Sequence, residues 1–233
     1  MNFDTIKAFQ ELDFWGTKVQ CPYFINKGNR VRAALRVMCG KGTPEEIVDE
    51  AKTLALREGI NLKEKNADEV KAFLVDHNLG IDCSGLAYYI LQPQKLFFPH
   101  AKNFLRKFIT KMRPIENCSV EVLAHEKNSK TVSLSQLQPG DMIIMIGTGD
   151  DHDLNHVLVV TREDNGILHY AHSLQWKSDG KYGGGVKAGK IEIVDRNKTL
   201  LEQKWTEDSK SGDENETFWR AKTAHSLKIH RLL

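Results

Sequence analysis

The apolar residues of this chain change their period near residue 119, and that change restricts the fold more than any other feature. Before it they recur at helical spacing; after it they come in short runs and alternations bounded by turns. Thr43-Pro44-Glu45-Glu46 is a capping box with proline at the first helical position, and Ile47, Ala51, Leu54 and Ala55 follow at helical intervals until Gly59. Asn66, with Glu69 three residues on, opens a second helix whose apolar face is Val70, Phe73 and Leu74. This helix stops near Asn78-Leu79-Gly80. A third helix begins at Cys83 and ends before Pro93.

Beyond residue 119 the pattern predicts strands. Val120-Glu121-Val122-Leu123 is short and alternating, and Leu137-Gln138-Pro139-Gly140-Asp141 is a turn into the apolar run Met142-Ile143-Ile144-Met145-Ile146. His156-Val157-Leu158-Val159-Val160 is a strand entered from a polar loop. Asn165-Gly166 folds it back into Ile167-Leu168-His169-Tyr170-Ala171-His172, because this dipeptide suits the positive φ angles of a tight hairpin. Ile191–Val194 and Thr223–Leu232 are further strands. The acidic stretch Thr206–Thr217 reads as an exposed loop. Gly183-Gly184-Gly185 reads as a flexible turn, since it lacks the strand–loop–helix setting of a phosphate loop. The expectation is an α+β fold: a helical N-terminal half packed on an antiparallel sheet, with residues 1–233 forming a single domain.

At 233 residues, with 40% apolar and 27% charged side chains, the chain can bury a substantial core. A net charge of +2 gives no argument for nucleic acid or a membrane surface, and no run of about 18 apolar residues exists to span a bilayer. Residues 1–7 lack a basic segment followed by an apolar one. Cys21, Cys39, Cys83 and Cys118 form no Cys-x-x-Cys pair, so reduced thiols and a cytoplasmic location are expected. Between Gln94 and Ile115 stand Lys95, Lys102, Arg106, Lys107, Lys111 and Arg113 with no acid, around an apolar stripe that includes Phe97, Phe104, Phe108 and Met112. Residues 94–115 therefore read as a basic amphipathic helical insertion whose stripe packs on the core. A docking surface for an anionic partner is the second reading.

The chemistry points to Cys83. It sits where a loop enters a helix, and the unpaired amides and helix dipole there favour a thiolate, the nucleophile of cysteine hydrolases. Such a nucleophile needs an imidazole base and a third polar group to orient that base. His156, at the start of its strand, is the candidate base. The returning hairpin strand offers His169 and His172, which alternation places on opposite faces, so only one of them can serve. Metal binding is the competing chemistry, since His152 and His156 are four apart. That spacing makes a zinc pair only on a helix, and this segment reads as loop and strand, so no metal and no cofactor are expected.

Asp82-Cys83-Ser84-Gly85-Leu86 resembles the nucleophile motif of the NlpC-type cysteine peptidases, bacterial papain-like enzymes that cleave cell-wall peptides. Leu137-x-Pro139-Gly140-Asp141 with its following strand, His156–Val160, and Ala171-His172-Ser173 resemble the later motifs of that family in the same order, over about residues 80–175. The resemblance implies a papain-like fold with the nucleophile helix against the sheet. It implies Cys83 as nucleophile, His156 as general base and His172 as the orienting residue. Asp82 and Ser84 would line the pocket for the amino end of a peptide substrate, with peptidoglycan fragments as the expected source. The family's usual tyrosine and paired glycines before the cysteine are replaced here by Leu74–Gly80, and Tyr23 is the upstream residue that would fill the tyrosine's place. An amidase or acyltransferase on another substrate, or a binding module without catalysis, are the alternatives.

Overall fold

Residues 3–25, 36–92 and 115–233 are described by the computed structural model, and they divide into two units. One consists of Asn2–Leu86 with Ser173–Lys187, the other of Ala87–His172 with Ala188–Leu233. The predicted basic insertion lies, apart from Ile115, outside the described residues.

The first unit opens with helix α1 (Phe3–Gln10) and a hairpin, β1 (Leu12–Phe14) and β2 (Thr17–Val19), which turns through Trp15 and Gly16 at positive φ. Strands of three residues are too short for alternation to reveal, yet they bury Leu12, Phe14 and Val19. Helix α2 (Pro44–Glu58) begins at the expected capping box: the Thr43 hydroxyl accepts from Glu46 N–H at 3.2 Å, and the Glu46 carboxylate accepts from Thr43 N–H at 2.9 Å. Helix α3 (Ala67–Asp76) starts with the same reciprocal pair, Asn66 and Glu69, at 3.0 Å each way. Of the face read for α2, Ile47, Ala51 and Ala55 are buried and Leu54 is half-buried; on α3, Val70, Phe73 and Leu74 are all buried.

The loop ahead of helix α4 (Cys83–Leu91) is pinned from several sides. Ile81 donates to Pro22 O at 3.0 Å and accepts from Phe24 N–H at 3.3 Å and from the Ser173 hydroxyl at 2.7 Å; Asp82 donates to Gly40 O at 3.0 Å. Asp82 caps the helix, its Oδ1 accepting from Gly85 N–H at 2.6 Å. Lys41 Nζ donates to Asp82 Oδ1 at 2.8 Å and to Ser84 Oγ at 2.6 Å, and all three residues are buried. A Cβ on Gly85 would lie 2.8 Å from Gly40 O, so this close approach needs glycine. Similarly, a Cβ on Gly185 would lie 2.6 Å from Cys21 O. The glycine run read as a flexible turn thus includes a site of tight backbone packing.

In the second unit helix α5 (Val120–Ala124) stands where the sequence suggested a strand. Ser119 caps it by accepting from Val122 N–H at 3.3 Å, and Val120, Val122 and Leu123 are all buried. Five residues do not separate a period of 2 from one of 3.6. Strands β3 (Ser129–Val132), β4 (Met142–Thr148), β5 (Leu154–Asp164), β6 (Ile167–Leu174), β7 (Gly185–Glu192), β8 (Lys204–Glu207), β9 (Lys210–Ser211) and β10 (Ser226–Leu232) form one sheet in the order β3-β10-β4-β5-β6-β7-β8-β9. The pairs of β10 with β3 and β4, and of β4–β5, β5–β6, β7–β8 and β8–β9, are antiparallel. Asn165 (φ 49°) and Gly166 (φ 78°) make the expected β5–β6 turn. Ile143, Met145, Leu158, Val160, Leu168, Tyr170, Ile191 and Trp205 form the core, with Ala221 and Phe218 of helix α6 (Glu216–Thr223) against it. The stretch expected as an exposed loop over 206–217 instead contains β9, the end of β8 and the start of α6, with Glu207, Asn215 and Thr217 buried. Asn215 is the α6 cap, its Oδ1 accepting from Thr217 and Phe218 N–H at 3.0 and 3.2 Å.

Because Lys41 and Asp82 are paired out of water, removing one charge strands the other. Lys41→Met is expected to lower unfolding stability by about 3–5 kcal/mol in urea denaturation, and adding Asp82→Asn to recover part of that loss.

Candidate active site

Cys83, Asp82 and Ser84 belong to the first unit, His156 and His172 to the second. Cys83 is the first residue of α4, buried at 5% exposure. The backbone amides of a helix start and the positive end of its dipole lie here, and Lys41 offsets the Asp82 charge beside them. All four cysteines are free thiols. Burial pushes the Cys21 thiol far up, beyond the small opposing effect of Lys71, so Cys21 remains protonated.

On the sheet, Met145 stands directly across from His156, and Val160 across from Tyr170. This register puts His156, Tyr170 and His172 on the face that carries the core. His156 Nε2 lies 2.8 Å from His172 Nδ1, and both rings are buried. His172 Nε2 in turn lies 3.0 Å from Glu207 Oε2, to which the Tyr170 hydroxyl also donates at 2.7 Å. A Cβ on Gly189, the residue paired with Glu207, would run into the Tyr170 phenol; glycine leaves that ring its path to the carboxylate.

The electrostatics follow from this burial. Burial, then the electrostatic influence of the His172 ring and of Arg220, holds the His156 imidazole well below its ordinary 6.5, so the ring is neutral and able to accept a proton. Burial alone would raise the Glu207 carboxyl. The electrostatic influence of the His172 ring, and then the hydrogen bonds from His172, Tyr170 and Thr217, outweigh it and leave the group below its ordinary value, hence ionised. Tyr170 is pushed the other way by burial and by the Glu207 charge, and remains a donor.

His169 is placed apart from this chain. It pairs with Arg162 in the β5–β6 ladder, and Arg162 Nη2 lies 3.2 Å from its Nε2. Burial and Arg162 lower its pKa. His152 stacks on His225 at 4.2 Å and lies in a turn while His156 lies in β5, so their spacing of four is not helical. Among the described residues no group of three or more His, Cys, Asp and Glu is arranged to hold a metal ion. Three residues the sequence did not point to line these places: Lys41, Tyr170 and Glu207. Only Tyr170 had a signal, being two residues before His172 and so on the same strand face.

The family model described as the NlpC/P60 family matches residues 67–225. No curated protein and no solved structure is significantly similar to the chain. The family is one of papain-like cysteine peptidases and related hydrolases, and the helices and antiparallel sheet found here are compatible with that fold. The matched region takes in Cys83, His156, His172 and Glu207 and covers more than half the sequence: the chain belongs to the NlpC/P60 family.

Proposed function

We propose that this protein is a cysteine hydrolase that cleaves a peptide or amide bond through a thioester, with peptidoglycan-derived peptides as its substrates. The observation that carries the reading is the buried 2.8 Å contact between His156 and His172, in which a neutral base is held by a second ring. His156 takes the Cys83 proton, and the sulfur attacks the substrate carbonyl. Amides at the start of α4, that of Cys83 among them, hold the oxyanion. As the tetrahedral intermediate collapses, His156 returns the proton to the leaving amine and a thioester remains. Water, deprotonated by His156, attacks the thioester, and the carboxylic acid product leaves as Cys83 recovers its proton.

The whole chain acts as one catalytic domain in this reading, working in the cytoplasm, and the basic segment 94–115 is an insertion within it. Among the described residues no helix is long and apolar enough to cross a membrane. Asp82 and Ser84 face the amino side of the substrate. Lys41 already supplies both with an ammonium partner, so a free substrate amine there would compete with Lys41, and a blocked or amide-linked amino end is favoured. Amide hydrolysis or acyl transfer on a different substrate would use the same residues; a binding module would not need a reactive thiol.

Alkylation by iodoacetamide at pH 6 is expected to label Cys83 faster than free cysteine while sparing Cys21. Labelling of Cys83 no faster than the free thiol removes the enzymatic reading. With peptidoglycan peptides as substrates and mass spectrometry as the readout, His156→Ala should lower kcat/KM by about 10²–10⁴-fold. His172→Ala should lower it by about 10²-fold through misorientation of the base, and His169→Ala should leave it within a few-fold. Loss of turnover with His169→Ala alone would reassign the third residue, and release of no fragment by the intact protein would move the substrate outside the cell wall.

A further inference from the structure

The chain of contacts behind His156 does not stop at His172. Glu207 is 1% exposed, lies at the end of β8, and offers one oxygen, Oε2, to two neighbours: the Tyr170 hydroxyl at 2.7 Å and His172 Nε2 at 3.0 Å. A phenol donates its proton, so this oxygen acts as an acceptor, and the second neighbour must donate to it as well. The His172 proton is therefore on Nε2. A neutral His172 then has a bare Nδ1, which can only accept, and the atom 2.8 Å away is His156 Nε2. That nitrogen must carry the hydrogen, and the remaining nitrogen of His156, Nδ1, is left as a lone pair.

We propose that Glu207 is a positioning residue of the hydrolase, whose carboxylate fixes the proton on Nε2 of His172 and, through it, on Nε2 of His156, so that Nδ1 of His156 is the atom that takes the thiol proton. This assignment rests on the hydrolase reading for its catalytic meaning, though the proton arrangement does not. No proton leaves His172 in the cycle. When His156 gains the Cys83 proton at Nδ1 it becomes an imidazolium, and its Nε2–H goes on donating to His172. The Glu207 charge supports that cation through the polarised ring between them. The ionised state is consistent with the directions already described: hydrogen bonds from His172, Tyr170 and Thr217 help to hold Glu207 below its ordinary value, and Tyr170 is kept protonated. Arg220 is the remaining charge felt by His156, and it opposes the imidazolium, which sharpens the need for an anion behind His172.

The test is the protonation pattern itself, read on the full-length protein with ¹⁵N-labelled histidine by long-range ¹H–¹⁵N correlation at neutral pH. The expected spectrum shows Nε2 protonated in both rings and His172 bare at Nδ1. A His172 ring protonated on Nδ1 overturns the proposal. Glu207→Gln keeps the size of the side chain but removes its charge, and its carboxamide can turn an NH₂ toward His172. Its expected effects are a new Nδ1-protonated population of His172 and slowing of Cys83 alkylation by about tenfold or more. An unchanged pattern together with an unchanged rate shows a space-filling role and overturns the proposal. If Glu207→Gln does not fold, the wild-type spectrum alone decides. A wild-type protein with the expected protonation pattern but an unreactive Cys83 would sink the hydrolase reading and leave the Glu207 arrangement standing.

Discussion

Strand register is the constraint on which the polar chain from His156 to Glu207 depends. The pairs Ile143–Leu158, Met145–His156 and Val160–Tyr170 place the two histidines on the face that also presents Leu158, Val160, Leu168 and Tyr170 to the core. A slip of one residue would turn every one of those apolar side chains to the other face. The energy that fixes the histidines is thus mostly the burial of their apolar neighbours, at roughly 1.5–3 kcal/mol for each large side chain. The ladder shifts between Val160 and Arg162, past the last residue of this set. The β4–β5 ladder shifts as well, between Met145 and Thr148, just beyond the Met145–His156 pair, so the regular register ends at His156 on that side.

Two buried acids, Glu207 and Asp82, are accommodated by different means. Asp82 has a full counter-charge in Lys41 and a helix amide in Gly85, so its charge is neutralised where it caps α4. Glu207 is held only by hydrogen-bond donors, a phenol, an imidazole and the Thr217 hydroxyl, and its negative charge remains available to any positive charge that forms on the rings. The first arrangement suits a fixed structural cap, the second a group that must respond to a proton moving nearby.

Much of this was legible in the sequence where local rules govern. The capping boxes at Thr43 and Asn66, the Asn165-Gly166 hairpin and the helix start at Cys83 each depend on residues within a few positions of one another. Alternation placed His169 and His172 on opposite faces without choosing between them, and only the resemblance at Ala171-His172-Ser173 favoured His172. What stayed hidden depends on pairing across long stretches of chain. Glu207 looks like one more acid in a polar segment until β8 is placed beside β7, and Lys41, between two glycines, has no pattern that foretells an ion pair with Asp82, 41 residues away. Val120–Ala124 failed for the opposite reason, since so short a segment fits both periods and its Ser119 cap decided the outcome.

The place of β10 in the sheet has a consequence for how the protein is made. Consecutive strands β3 and β4 do not pair with each other; β10 lies between them, matching Ile229 with both Val132 and Ile143. The partner of β4 on that side is therefore synthesised some 80 residues later, as Ser226 meets Ile146. Until then the apolar strand β4 has one ladder of backbone groups without its native partner and β3 has no sheet to join. The nascent chain carries an open sheet edge through most of the synthesis of the second unit, and that interval is where aggregation competes with folding.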